Sequence, residues 1–341
     1  MTNFWNGKRV FVTCPTGFVG TWLVQTLLDS GSQVFGFGEP ASTSPNLFDL
    51  KNLGQKISMT YGDIRDESAL REALQFAEAD VVLHLGESGL ISDLGKRPLE
   101  TFAKAALGTA TLMELMRETA SVRSLVVVSS DKVYARKTSG EVLSETDAVA
   151  PSAILPTAKL CAEMIALSYR QSFFAPEKYN KHKIAIATAR MGSAIGGGDF
   201  TEHAFIPQAV QAFVAGNSFE LKNPQSVRPW IHVLDQVAGL LSLAEALFER
   251  GPKLAPTYNF AAKETNTVGE VAQALARYWG ENARVNLGEG SKSSLSVHAN
   301  LDSKLAQSDL NWKVQRNLTD ALKETLQWYK EFYSSRTSAT L

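Results

Sequence analysis

The chain has 341 residues, 44% hydrophobic and 20% charged, which is ordinary for a globular protein and long enough for a large domain plus a smaller one. Its 34 basic and 35 acidic residues leave a formal net charge of −1, so no nucleic-acid surface is implied. No apolar run reaches the ~18 residues of a spanning helix, and residues 1–9 lack the apolar stretch of a signal peptide, so the expectation is a cytoplasmic chain with no membrane contact and with Cys14 and Cys161 reduced.

Residues 9–13 read as a buried parallel strand, and 17–30 as a helix with Val19, Leu23, Val24, Leu27 and Leu28 inward. Gly31 and Ser32 close that helix, and 33–37 starts the next strand. Further apolar strands at 57–61, 80–85, 125–129 and 184–190 alternate with helices at 67–77, 101–119 and 157–174. Such alternation predicts an α/β fold, a doubly wound parallel sheet of the Rossmann type. After about residue 191 the pattern loosens. Gly196-Gly197-Gly198 reads as a flexible loop, and 205–215, 268–279 and 318–332 as helices. The expected organisation is a dinucleotide-binding domain over 1–190 with a returning segment near 230–260. A smaller C-terminal α/β substrate lid follows over 191–335, then a solvated tail over 336–341.

Strand one runs into Thr13-Cys14-Pro15-Thr16-Gly17-Phe18-Val19-Gly20. Gly17 and Gly20 fit the second and third glycines of a G-x-x-G-x-x-G loop, where backbone N–H groups approach a pyrophosphate at a helix N-terminus. Cys14 takes the first glycine's place and Pro15 removes a donor; a positive φ at Cys14 would cost of order ~1 kcal/mol. Its place before a helix also admits a reactive thiol, although a small buried side chain is the simpler reading. Glu39, 19 residues after Gly20, stands where an acid accepts from a ribose diol and favours NAD over NADP; the alternative is an exposed loop glutamate. Asp63 either contacts the adenine or caps the following helix. The strand at 125–129 ends in Ser129-Ser130-Asp131-Lys132, and a later helix presents Lys159 with Leu155 one turn before it. His84 reads as a buried, hydrogen-bonded core residue, and the five histidines are too dispersed for a metal site.

Taken with Pro45-Asn46-Leu47-Phe48, Gly62-Asp63-Ile64-Arg65-Asp66, Ile195-Gly196-Gly197-Gly198-Asp199 and Arg228-Pro229-Trp230-Ile231-His232-Val233, these residues resemble the extended short-chain dehydrogenase/reductases that act on sugar nucleotides. Within that NAD-dependent epimerase/dehydratase family, the lysine after Asp131 is similar to the CDP-glucose 4,6-dehydratase branch rather than to the dTDP-sugar one. The resemblance implies NAD, held by Thr13, Thr16, Gly17, Phe18, Val19, Gly20, Glu39, Asp63, Ile64, Leu85 and Lys159. It implies a nucleotide sugar, a CDP-hexose first, contacted by Glu87, Ser193, Asn223, Arg228 and His232. It also implies a homodimer built on the helices at 101–119 and 157–174. In the family a tyrosinate takes the proton from the sugar 4-hydroxyl while NAD accepts hydride, and water is then expelled across C5 and C6. By resemblance, Ser130 would bond the 4-oxygen. Asp131 would be the acid at the 6-hydroxyl, Lys132 the base at C5, and Lys159 would hold the nicotinamide ribose.

The departures cluster around the same chemistry. Leu155 occupies the tyrosine position, and Pro156, Thr157 and Ala158 replace small serines. Ala105 and Ser193 stand where the family has asparagines, and Gly86 and Glu87 replace two alanines. Loss of a general base lowers a rate by about 10² to 10⁴. Ordinary dehydration is therefore expected to be lost or severely impaired, with NAD binding weakened or lost. Three readings stay open: a non-catalytic binder or partner subunit of an active homologue; an altered epimerase, dehydratase or reductase using Asp131, Lys132 or Glu87; and a working dehydratase with a base recruited from elsewhere, Tyr134 among the candidates.

Overall fold

The computed structural model describes residues 3–86, 97–135, 141–264, 266–288 and 300–337. Seven strands form the central sheet: β1 (Arg9–Thr13), β2 (Gln33–Gly38), β3 (Ser58–Tyr61), β4 (Val81–His84), β5 (Ser124–Ser130), β6 (Ala185–Met191) and β7 (Thr257–Phe260). Their order is β7-β6-β5-β4-β1-β2-β3, and every neighbouring pair is parallel. The inner strands are buried along nearly their whole length because both faces are covered, whereas the edge strand β3 is mostly exposed. Val10 and Val12 join one core layer with Leu23, Val24 and Leu27 of the helix Phe18–Asp29, while Phe11 joins the other with Leu70, Leu74, Leu112 and Met116. Strand order reverses between β1 and β4, the place where open α/β sheets bind ligands.

The returning segment near 230–260 is a helix, Val233–Arg250, followed by β7. Val237, Leu240, Leu241, Ala244 and Leu247 recur at helical spacing and cover one face of the sheet over β4, β5 and β6. A separate core of Ile195, Val210, Phe213, Trp230, Leu275, Leu322 and Tyr329 organises the C-terminal part. Small two-stranded pairings serve it, 193–195 with 230–232 and 218–221 with 284–287.

At the C-terminus the helix Leu318–Thr337 runs two residues past 335, where the tail was expected to start, and the Arg336 guanidinium lies 4.5 Å from the Phe332 ring centre. Residues 338–341 lie outside the described residues. Among the described residues no helix is long and apolar enough to cross a membrane, and no group of His, Cys, Asp and Glu is arranged to hold a metal ion.

Candidate functional site

At the β1/β4 reversal lies a cavity of about 300 Å³. One wall is the loop after β1. Cys14 has φ 53°, its N–H donates to the Phe37 carbonyl at 2.8 Å, and a Cβ on Gly38 would come within 3.2 Å of its backbone. The turn thus does demand the positive φ that a cysteine adopts only at a cost. A Cβ on Gly20 would lie 2.5 Å from the Cys14 carbonyl oxygen, so only glycine lets the following helix pack this close. That helix starts after Gly17 with no side-chain cap. Its first N–H groups, at Phe18, Val19 and Gly20, have no intrahelical acceptor and lie along the cavity wall.

The facing wall comes from the ends of β4 and β5 and the helix Ile154–Ser172, with Leu85, Gly86, Val128, Ser129, Ser130 and Lys159. The Lys159 ammonium donates to the Leu85 carbonyl at 2.8 Å. Gly86 has φ 71°, in the left-handed region that favours glycine, and a Cβ there would stand 2.8 Å from Lys159 Nζ. The Ser129 hydroxyl is buried with no hydrogen-bond partner among the described residues, a condition that costs about 1–3 kcal/mol until something bonds it. Ser130 donates to Asp131 Oδ1 at 2.9 Å and its oxygen accepts from the Lys132 N–H at 3.2 Å. Asp131 is buried. Lys132 is exposed, yet desolvation by the surrounding protein holds its ammonium below its ordinary range, Asp131 opposing and Arg228 reinforcing the shift. Arg228 lies over the Trp230 ring at 5.7 Å with its Nε buried and unbonded among the described residues.

Other predicted residues stand elsewhere. Thr13 turns inward, bonding His84 Nδ1 at 2.8 Å, while His84 Nε2 faces Thr109 at 3.0 Å. Burial, aided by the Lys159 charge, pushes that ring down to about 3, as befits a core histidine. Asp63 is held by Arg65 (Nε–Oδ1 2.9 Å), which lowers its carboxyl to about 2, and Asp66 caps the next helix. Ile64 packs in the second core layer. His232 is buried and caps the helix Val233–Arg250, accepting from the Leu234 N–H at 3.3 Å; burial first, then Arg316, takes it down to about 4. Ser193 is half-buried beside the cavity-lining Gly192 and Ala194, and Asn223 is exposed. Glu87 lies outside the described residues.

Leu155 sits half-buried in the first turn of its helix, where Pro156 is tolerated because N–H groups there lack intrahelical acceptors. Ala105 is buried within a π-turn, Ala103–Leu107. Tyr134 donates to Asn259 Oδ1 at 2.7 Å with Arg190 over its ring at 4.7 Å, and burial pushes the phenol up, so it is not poised as a base. Sequence reasoning missed Ser42, Thr43, Gly192, Ala194, Thr201 and Gln236 as cavity-lining residues. Gln236, which donates to the Gly192 carbonyl at 2.8 Å, had no local signal; Asn46, Leu47 and Gly198 stood in the quoted segments without a role assigned.

Comparison with known proteins follows the same lines. The sequence profile of the "NAD dependent epimerase/dehydratase family" matches residues 10–261. The chain is 32% identical to the CDP-glucose 4,6-dehydratase of Salmonella typhimurium over 330 residues, 96% of this chain and 92% of that one. The structure of dTDP-glucose 4,6-dehydratase from Bacillus anthracis in complex with NAD is similar at TM-score 0.76 and 22% identity, covering 94% and 96% of the two chains. UDP-glucuronic acid 4-epimerase from Bacillus cereus, in complex with UDP-glucuronic acid and NAD, is similar at TM-score 0.80 and 21% identity, covering 95% and 99%. These two likenesses establish the fold.

Proposed function

The chain belongs to the NAD-dependent epimerase/dehydratase family, and from that premise we propose that it binds a nucleotide sugar, a CDP-hexose first, with ordinary 4,6-dehydration lost or severely impaired. One observation carries the reading. The first turn of the helix bearing Lys159 offers a hydrocarbon at Leu155, and the nearby Tyr134 phenol is committed to Asn259. A base able to take the 4-hydroxyl proton is thus missing from the position that would supply it.

The cavity fits a dinucleotide. Its support is the N–H row at Phe18–Gly20, the glycine-tight turn at Gly17 and Gly20, and the unbonded Ser129 hydroxyl on the opposite wall. NAD bound there would supply the hydride acceptor of the family's chemistry. Lys159, anchored on Leu85, would hold the ribose end, and Arg228, with an unbonded Nε, would meet a diphosphate.

A second reading has its own support. Asp131 and Lys132 keep an acid beside an ammonium that gives up its proton more easily than usual, which suits an altered epimerase, dehydratase or reductase. Incubation with CDP-glucose and NAD, followed for the 4-keto-6-deoxy product and for any other altered sugar, decides between them, the second reading requiring such another product. The expected wild-type result is at most a trace, and Leu155→Tyr with Ala105→Asn should raise it by about 10² or more. Normal wild-type turnover overturns the proposal.

A further inference from the structure

Behind the two walls of the cavity runs one buried chain of polar side chains. Thr13 ends β1, His84 ends β4, Thr109 stands in the helix Gly108–Met116, and all three are buried. The Thr109 hydroxyl donates to the Ala105 carbonyl of the π-turn at 2.6 Å, which uses its only proton. Its oxygen, 3.0 Å from His84 Nε2, must therefore accept, so that ring nitrogen carries the hydrogen. Burial first, and the Lys159 charge after it, keep the ring neutral. His84 Nδ1 is then a bare acceptor, and the Thr13 hydroxyl donates to it at 2.8 Å. Every donor in the chain points one way, from Thr13 through the ring to the π-turn. None of the three side chains lines the cavity, yet two of them adjoin residues that do. Thr13 precedes Cys14, whose carbonyl oxygen lies 2.5 Å from where a Gly20 Cβ would stand and so sets how closely the next helix begins. His84 precedes Leu85, whose carbonyl anchors the Lys159 ammonium at 2.8 Å.

We propose that His84, with its hydrogen on Nε2, is a positioning residue for dinucleotide binding. Through Thr13 and Thr109 it fixes the loop after β1 against the Lys159 anchor without touching the ligand. This rests on the reading that the cavity takes a dinucleotide, and adds what holds the two walls in register. A methyl in place of either hydroxyl leaves a buried ring nitrogen without its partner. The ring then shifts to find another and carries Leu85 with it. One broken link is enough, so Thr13 and Thr109 act as a unit.

The test is calorimetric titration of the full chain with NAD for wild type, Thr13→Val, Thr109→Val, the double valine variant, Thr13→Ser and Thr109→Ser, each checked for folding by circular dichroism. Each valine variant should weaken binding at least about tenfold, while each serine variant stays within about threefold of wild type. The double variant should lose no more than about threefold beyond the worse single one. Losses that multiply, valine variants that bind like wild type, or serine variants as weak as the valine ones overturn the inference while the cofactor reading stands. A second measurement needs no variant. Heteronuclear NMR of the wild-type His84 ring should find the hydrogen on Nε2, and its nitrogen signals should shift when NAD binds. A hydrogen on Nδ1, or signals that NAD leaves unmoved, overturns the inference whether or not the variants fold. Wild type that binds no NAD overturns the cofactor reading and this inference with it.

Discussion

Single side chains settle several matters that type and spacing left open. Gly86 has a physical reason in its backbone, since φ 71° lies in the left-handed region that favours glycine. His84 has a titration consequence. An unfolded histidine titrates near 6.5, and the folded ring is held near 3, so the neutral ring's stabilisation is complete above about pH 6.5. It is lost as pH falls from there toward 3, because unfolding then releases a ring that takes up a proton. Urea midpoints of wild type should therefore drop over that interval, and His84→Gln should show a shallower drop from a lower starting stability at pH 7.5. Parallel curves for the two proteins would refute this.

At the scale of elements, the polar end of β5 is braced by a network that no strand or helix pattern announces. Arg190 on β6 forms a buried ion pair with Glu163 of the helix Ile154–Ser172 and donates to the Glu145 carbonyl at 3.2 Å. Asn259 on β7 receives the Tyr134 hydroxyl and donates to the Leu143 carbonyl at 3.2 Å. Removing one partner of a buried pair leaves the other charge desolvated, which costs about 3–5 kcal/mol. Glu163→Ala should lower the denaturation free energy by that amount, and a loss under about 1 kcal/mol would mean Arg190 finds other support. The alternation of strands and helices was readable because parallel strands buried on both faces are continuous apolar runs. The helix Val233–Arg250 escaped as a named element, although its apolar positions fall at helical spacing, because it lies beyond the point where the simple β–α alternation ends.

For the whole molecule, two helical segments bear on assembly. Leu99 and Leu107 on 98–116, and Met164 and Phe173 at or beside the helix Ile154–Ser172, are exposed at 81%, 59%, 50% and 45%. These apolar side chains support the proposal that two copies pair across this face. Sedimentation should show a dimer for wild type and a monomer for Leu107→Glu with Met164→Glu, both folded by circular dichroism; a wild-type monomer would dispose of the idea.

The amino-acid order alone carried the sheet's strand pattern, the loop after β1 and the hydrocarbon at Leu155 one turn before Lys159, since each depends on residue type at short, fixed spacing. It could not place Thr13, His232 or Tyr134, because the partners that claim them, His84, the helix starting at Val233, and Asn259, are set by packing. Residue type names what a side chain can bond; only the folded chain decides which partner comes within reach, and burial then makes that choice binding.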